Sequence, residues 1–324
     1  MASSLQKYPS GFLALLFLAS SFLPMHVSNS TPPHCHNDES FALLQFNQSF
    51  VLDRSASFDP SSYPKVISWN QRGDCCLWDG IECDEITDHV IGLDLSSSWL
   101  YGSISSNSSL FNLVHLQGLN LADNDFNHSR ILSEFRYLSH LTYPNLASSG
   151  FHGHKPSEIS QLTRLTSLYL TGGVDGINGR RLLELKVPGL ERLVQNLTHI
   201  QEIYLDNVDI SSTVPDNMGQ IPASIGNLHS LTTLAFALDN FGGPLPSSLG
   251  NLTNLSILGL IQNHFFGQIP SSFANLTELT NLTVSNNNNL TCGSLSWLSE
   301  KTKLTLLSVG QCSINGEIPH VIEP

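Results

Sequence analysis

Few side chains in this 324-residue sequence have the type and spacing to do chemistry. His34-Cys35-His36 with Asp38 has the composition of a metal site, because imidazole, thiolate and carboxylate are the usual zinc ligands. No second paired set of ligands accompanies it, and Cys35 has a better use in a disulfide. His152 and His154 form a weaker pair in a turn. There is no phosphate-cradling glycine loop, no G-x-S-x-G elbow and no H-E-x-x-H helix. Neither catalysis nor a cofactor or metal is expected.

The six cysteines are more informative, since an even number in a secreted chain points to disulfides. Four precede the regular part of the sequence: Cys35, Cys75, Cys76 and Cys83. Bonding adjacent Cys75 and Cys76 would strain the backbone. The expected pairs are Cys76–Cys83, closing a short loop, and Cys35–Cys75, pinning the start, although four cysteines allow three pairings. Cys292 and Cys312 occupy non-equivalent positions in successive repeats, and Cys312 stands where another unit has Asn263. A buried thiol is expected at Cys312 in preference to a bond with Cys292.

Ten N-x-S/T sequons occur. Asn29 lies within the leader described below. Asn47, Asn107, Asn127, Asn196, Asn251, Asn275, Asn281 and Asn289 are the expected glycan acceptors, and Asn254 is too near Asn251 for both to be filled efficiently. Asn196, Asn251 and Asn275 share an Asn-Leu-Thr context just before an apolar segment.

These residues need elements to position them. Lys7, the apolar run Phe12 to Leu23 and small residues at Ser28 and Ser30 read as a signal peptide over 1–30, too short to span a membrane. Residues 31–88 read as a cap. A helix over about Asp38 to Leu52, with Asp38 as N-cap, is expected to bring Phe41, Leu44 and Phe46 together. A cluster of Trp69, Trp78 and cysteines follows. From 89 to 324 the apolar pattern L-x-x-L-x-L recurs, with third apolar positions at Leu95, Leu121, Leu146, Leu170, Leu205, Phe236, Leu260, Val284 and Val309. A period of 24 to 26 residues is the mark of a leucine-rich-repeat solenoid, an α/β repeat fold whose stacked strands form a parallel concave sheet. Two intervals are long. The interval Leu170 to Leu205 holds an excursion over about 172–199, expected to be part loop and part short helix. The interval Leu205 to Phe236 holds two repeat ends, Val214–Pro215 and Ile221–Pro222. Asn124, Asn263 and Asn287 occupy a turn where an amide can satisfy buried backbone groups and continue as a ladder between coils.

Residues that alternate with the inward leucines face outward on the concave sheet. Tyr169, Glu202, Tyr204 and Asp206, an aromatic and acidic group beside an excursion carrying Arg180 and Arg181, are the expected ligand contacts. The competing expectation is ordinary solvated strand positions, the commoner situation on a solenoid. With 14 Lys and Arg against 27 Asp and Glu, the net charge of −13 argues against nucleic acid.

The Phe-x-Gly-x-Ile-Pro run at 265–270, Asn-Phe-Gly-Gly-Pro-Leu-Pro at 240–246, the cap run from Ser68-Trp69 to Cys83-Asp84, His89 to Leu95, and the stretch Leu185 to Ser212 resemble plant leucine-rich-repeat receptor-like proteins over about 31–319. The resemblance implies an extracellular or cell-surface domain that binds a peptide, protein or glycan in defence or development and signals through a partner receptor kinase. Family members carry more repeats, a cysteine-bearing C-terminal cap, a membrane anchor and a short tail, so it further implies a truncated ectodomain. A secreted polygalacturonase-inhibitor-like protein is the alternative; its family's C-terminal cysteine cap has no match here.

Overall fold

The computed structural model describes residues 34–154, 159–172, 183–185, 189–210, 219–287 and 289–314. The expected signal peptide and the Val214–Pro215 repeat end lie outside them. The cap begins with α1 (Asn37–Asn47), entered at His36 as N-cap, with Asp38 and Glu39 in the first turn where they complement the helix dipole. It stops five residues short of Leu52, because Phe50–Leu52 is strand β1. The helix buries Glu39, Ala42, Leu43 and Phe46, whereas Phe41 is 67% exposed. The expected Phe41–Leu44–Phe46 face and the Asp38 cap are therefore corrected. The inward stripe runs one residue out of phase because Glu39 has a use inside: its carboxylate accepts from the Val90 amide (2.9 Å) and lies 3.2 Å from His89 Nδ1, joining cap to first coil.

The remaining strands are β2 (Ile81–Cys83), β3 (Val90–Asp94), β4 (Leu100–Gly102), β5 (Gly118–Asn120), β6 (Tyr143–Asn145), β7 (Gly153–His154), β8 (Ser167–Thr171), β9 (Leu183–Glu184), β10 (Glu202–Asp206), β11 (Val208–Asp209), β12 (Thr233–Ala237), β13 (Gly242–Pro244), β14 (Ile257–Gly259), β15 (His264–Gln268), β16 (Asn281–Thr283), β17 (Asn289–Gly293), β18 (Leu306–Ser308) and β19 (Ser313–Ile314). The principal sheet has the order β18-β16-β14-β12-β10-β8-β6-β5-β3-β2. It is parallel except for β2, which pairs antiparallel with β3 and closes the cap edge. On the return side of the coils, β7-β9-β11 and β13-β15-β17-β19 form short parallel sheets, and β1 pairs antiparallel with β4. The fold is the leucine-rich-repeat solenoid, one coil per repeat.

Its core is the aliphatic spine read from the sequence. Leu95, Leu121, Leu146, Leu170, Leu205, Phe236, Leu260 and Val284 are all buried. Phenylalanines thread the coils beside it, with ring centroids 5.4 Å apart for Phe50–Phe126 and 5.3 Å for Phe126–Phe151. Hydroxyls stitch coil to coil at the entry to several strands. Thr142 donates to the Gln117 carbonyl (2.9 Å), Thr232 to Gln201 (3.0 Å) and Thr280 to Ser256 (3.0 Å).

At the far end of most described strands of the principal sheet, the coil turns through a residue in the left-handed region. Ser97, Asp123, Ser148, Asn207, Leu238, Gln262, Asn286 and Gln311 all have φ between 50° and 61°. The next residue then points inward. Where it is asparagine, the expected ladder forms. Asn263 Oδ1 accepts from the Asp239 and Phe241 amides (both 3.1 Å), and its Nδ2 donates to the carbonyls of Phe236 (2.8 Å) and Ile261 (3.1 Å). Asn124 does the same in its coil, and Asn287 accepts from the Phe265 amide and donates to the Leu260 and Val284 carbonyls. Ser149 and Asp239 fill the slot elsewhere, donating to the Leu121 carbonyl (2.7 Å) and accepting from the Val208 amide (2.8 Å).

The excursion after β8 contains β9 and the helix α2 (Gly189–Asn196); 173–182 and 186–188 lie outside the described residues. Beyond the expected loop and helix, β9 pairs with both β7 and β11, so the excursion rejoins the return-side sheet. The cap disulfides are Cys35–Cys75 and Cys76–Cys83. The third overturns an expectation: Cys292 and Cys312 are bonded, with Cα atoms 5.7 Å apart. Pairing of β17 with β19 sets Thr291 opposite Ser313, which brings Cys292 beside Cys312 within disulfide reach.

Candidate functional site

The parallel register arranges the outward side chains of the principal sheet in rows that cross the strands. One row runs Asp94, Asn120, Asn145, Tyr169, Tyr204, Ala235, Gly259 and Thr283. The row before it runs Gly118, Tyr143, Ser167, Glu202, Thr233, Ile257 and Asn281.

Three tyrosines gather where these adjacent rows pass over β6, β8 and β10, Tyr169 and Tyr204 in the first row and Tyr143 in the second. Tyr169 and Tyr204 stack with centroids 4.5 Å apart and planes 11° apart. Tyr143 packs on Tyr169 at 5.4 Å with a 57° tilt. The Tyr169 hydroxyl donates to Glu202 Oε2 at 2.5 Å, and Ser167 Oγ donates to the same oxygen at 3.0 Å. Oε1 of Glu202 takes no hydrogen bond among the described residues.

Burial and charge hold these phenols in their protonated form. Burial pushes the Tyr169 hydroxyl well above the ordinary tyrosine value, and donation to Glu202 and the charge of that carboxylate raise it further. Tyr143 is raised mainly by burial, against an opposing bond with Asn145. Tyr204 is raised by burial and by Glu202, against an opposing bond with Thr233. The site therefore presents phenol O–H groups and aromatic faces beside one carboxylate, an arrangement that binds by stacking, hydrogen bonding and attraction of positive charge.

Of the expected contact residues, the structure brings Tyr169, Glu202 and Tyr204 together. Asp206 lies on the same strand as Tyr204 but one row further, in register with Thr171 and Ala237. Tyr143 is the residue that sequence reading passes over. Its signal was present, since it stands three residues before Leu146, as Ser167 does before Leu170 and Glu202 before Leu205. Thr233, in the second row, is buried, and its side chain bonds with that of Tyr204.

The candidate metal groups do not converge. Sγ atoms of Cys35, Cys75 and Cys76 lie within 4.8 Å of one another, but all three are in disulfides and offer no thiolate. His36, His89, His115 and His140 form a file along one edge, with successive centroids 4.2, 3.7 and 6.0 Å apart. Near-parallel stacked rings point their lone pairs in parallel planes and cannot share one ion. His36 is instead bonded to the Thr87 carbonyl (2.9 Å), which raises its pKa. His152 meets His128 edge-on, and the side chain of His154 lies outside what is described.

Among the sequons, Asn107, Asn127, Asn196, Asn251, Asn275 and Asn289 are exposed. Asn196 ends α2, and Asn251 and Asn275 end 3₁₀ turns, so the Asn-Leu-Thr context maps to one place in the coil. Asn47 is half-buried at the end of α1. Asn281 differs, being half-buried on the concave sheet with its Oδ1 accepting from Thr305 (3.3 Å).

Comparison with known proteins places these features. Residues 36–84 match the model of the leucine rich repeat N-terminal domain. The chain is 41% identical over 211 residues to Receptor-like protein 6 of Arabidopsis thaliana, covering 63% of this chain and 21% of that protein. It is 36% identical over 214 residues to Receptor-like protein Cf-9 of Solanum pimpinellifolium, covering 63% of this chain and 24% of that one. The chain thus spans about a fifth to a quarter of the length of these relatives. The crystal structure of the Arabidopsis receptor kinase HAESA, in complex with the peptide hormone IDA and the co-receptor SERK1, aligns with a TM-score of 0.69 at 29% identity, over 88% of this chain and 43% of that one. Cap, repeat type, disulfides and relatives agree: over the residues compared, the chain is a leucine-rich-repeat solenoid similar to the plant leucine-rich-repeat receptor-like proteins.

Proposed function

We propose that this chain is an extracellular ligand-recognition domain whose concave patch of Tyr143, Tyr169, Tyr204 and Glu202 contacts a peptide, protein or glycan, and that it acts in defence or developmental signalling together with a receptor kinase. The observation that carries it is the tyrosine row itself. A solvated strand surface has no need of three large aromatics side by side, and tyrosine is enriched where proteins grip partners. Three disulfides and exposed sequons support passage through the secretory route and an extracellular or cell-surface location. The HAESA complex supports a peptide-type ligand and a co-receptor as partners. Among the described residues no helix is long and apolar enough to cross a membrane.

The test is retention of components from pathogen culture filtrate and plant extracellular fluid on the immobilised secreted chain. A Tyr169→Ala/Tyr204→Ala double variant of unchanged Tm should lose at least about tenfold of what the parent chain retains. Equal retention by parent and variant rejects the patch as the contact surface.

A further inference from the structure

Tyr204 has two ring faces, and the fold covers one of them. The 4.5 Å separation of the Tyr169 and Tyr204 centroids is close to the ~4.8 Å spacing of neighbouring strands. The rings therefore stand side by side across the sheet, and Tyr169 lies on one face of Tyr204. The other face looks toward β12, where the residue in register is Ala235, and beyond it to Gly259 of β14. A methyl group and a bare Cα are too short to cover a phenol ring. Among the described strand residues, the floor beside Tyr204 is low.

The backbone does not require glycine at 259. Its φ lies outside the left-handed region, and an added Cβ would meet Thr283 Oγ1 at 3.5 Å and Ala235 Cβ at 3.6 Å, both ordinary contacts. Gly226 and Gly250 are different, since a Cβ on either would lie 2.4 Å from a carbonyl oxygen of the next coil. A glycine in a strand forgoes a side chain that could pack, and where there is no bulge or bend one reason for it is close approach of a ligand or another backbone; Gly259 ends β14 with neither in its pairing. Charge indicates the kind of ligand. Outward strand positions of the principal sheet carry Glu82, Asp94, Glu202 and Asp206 and no lysine or arginine; Asp94 is paired with Lys65 of the cap (2.9 Å), so the negative charge near Tyr204 comes from Glu202 and Asp206.

We propose that the hollow over Ala235 and Gly259 receives a basic side chain of an extended peptide, and that Gly259 sets how large a side chain is admitted. This rests on the concave patch being the contact surface, as proposed above. The aliphatic stem lies on Ala235 and Gly259, the cationic head meets the open face of Tyr204, and Glu202 supplies negative potential at the hydroxyl edge of the row.

The test is selection of short random peptides displayed on phage against the purified full chain. Synthetic versions of the enriched peptides are then titrated into the parent, Gly259→Leu and Tyr204→Ala chains, each checked for unchanged Tm. Enriched peptides should carry arginine or lysine, Gly259→Leu should weaken them at least about tenfold, and replacing the basic residue by glutamine should do the same. Loss with Tyr204→Ala but none with Gly259→Leu overturns the hollow and leaves the concave patch standing. No loss with either variant defeats both. Enrichment of neutral or acidic peptides, or of none, overturns a basic peptide as the occupant, as does a glycan or second copy of the chain found on that face instead.

Discussion

Asn263 shows how much a single side chain carries in a solenoid. Its amide satisfies two backbone N–H groups and two carbonyls at a buried turn. Asn263→Ala leaves these groups unpaired, at about 1–3 kcal/mol for each that finds no substitute. A total loss of about 3 kcal/mol is expected in urea denaturation, and a loss below about 1 kcal/mol would show that water replaces the amide. Leu238 presents the opposite case. It sits at φ 61° in the left-handed turn position that Asn207 and Asn286 fill in other coils. Leu238→Asn should therefore stabilise by about 1 kcal/mol, since a branched side chain is disfavoured there; an unchanged midpoint would mean its half-buried packing outweighs the strain. The tyrosine row makes a prediction in pH. Tyr143, Tyr169 and Tyr204 hold their protons more tightly folded than unfolded. Their stabilisation is complete below the unfolded value of about 10 and is lost as pH rises through the higher folded values. Tm should fall as pH rises above about 10, less steeply in Tyr169→Phe. Identical slopes in the two proteins would contradict this.

At the scale of elements, α1 illustrates what is legible and what is not. That a helix occupies the cap was readable from its apolar spacing. Its phase was not, because Glu39 is an acidic residue yet buried, and only its contacts with Val90 and His89 explain that. Phe46 is fully buried and meets Phe50 edge-on at 4.9 Å. Phe46→Ala should cost about 3–5 kcal/mol, whereas Phe41→Ala should stay within about 0.5 kcal/mol. Thermal unfolding of the two variants checks the phase, and equal losses would refute it. The Asn-slot turns were legible where asparagine fills them. They were hidden where serine or aspartate does so, since neither residue announces a turn by itself. The left-handed position before each slot carries no consistent residue type, so the sequence offered no signal for it.

For the molecule as a whole, the coils hold only their neighbours, and stability is close to a sum along the stack. A bond between successive coils should then matter most locally. The Cys292–Cys312 bond closes a separation of 20 residues, for which a chain-entropy estimate is about 3 kcal/mol. A Cys292→Ala/Cys312→Ala variant should lose amide protection in β16 to β19 first and leave the cap unchanged. Uniform loss along the chain would show instead that the solenoid unfolds as one unit.

The sequence by itself determined the repeat, the cap, the inward aliphatic spine and the asparagine ladder. Each follows from local spacing, because a residue's place in a coil is fixed by its distance from the nearest leucines. It also placed Tyr169, Glu202 and Tyr204 on one face. Tertiary structure alone decided how coils align against one another, since the two long intervals break the count between neighbours. That alignment stacks Tyr169 on Tyr204, packs Tyr143 against Tyr169 from the adjacent row, sets Ala235 and Gly259 beside Tyr204, and brings Cys292 to Cys312. Registers between strands depend on how every intervening loop packs, which no local pattern encodes.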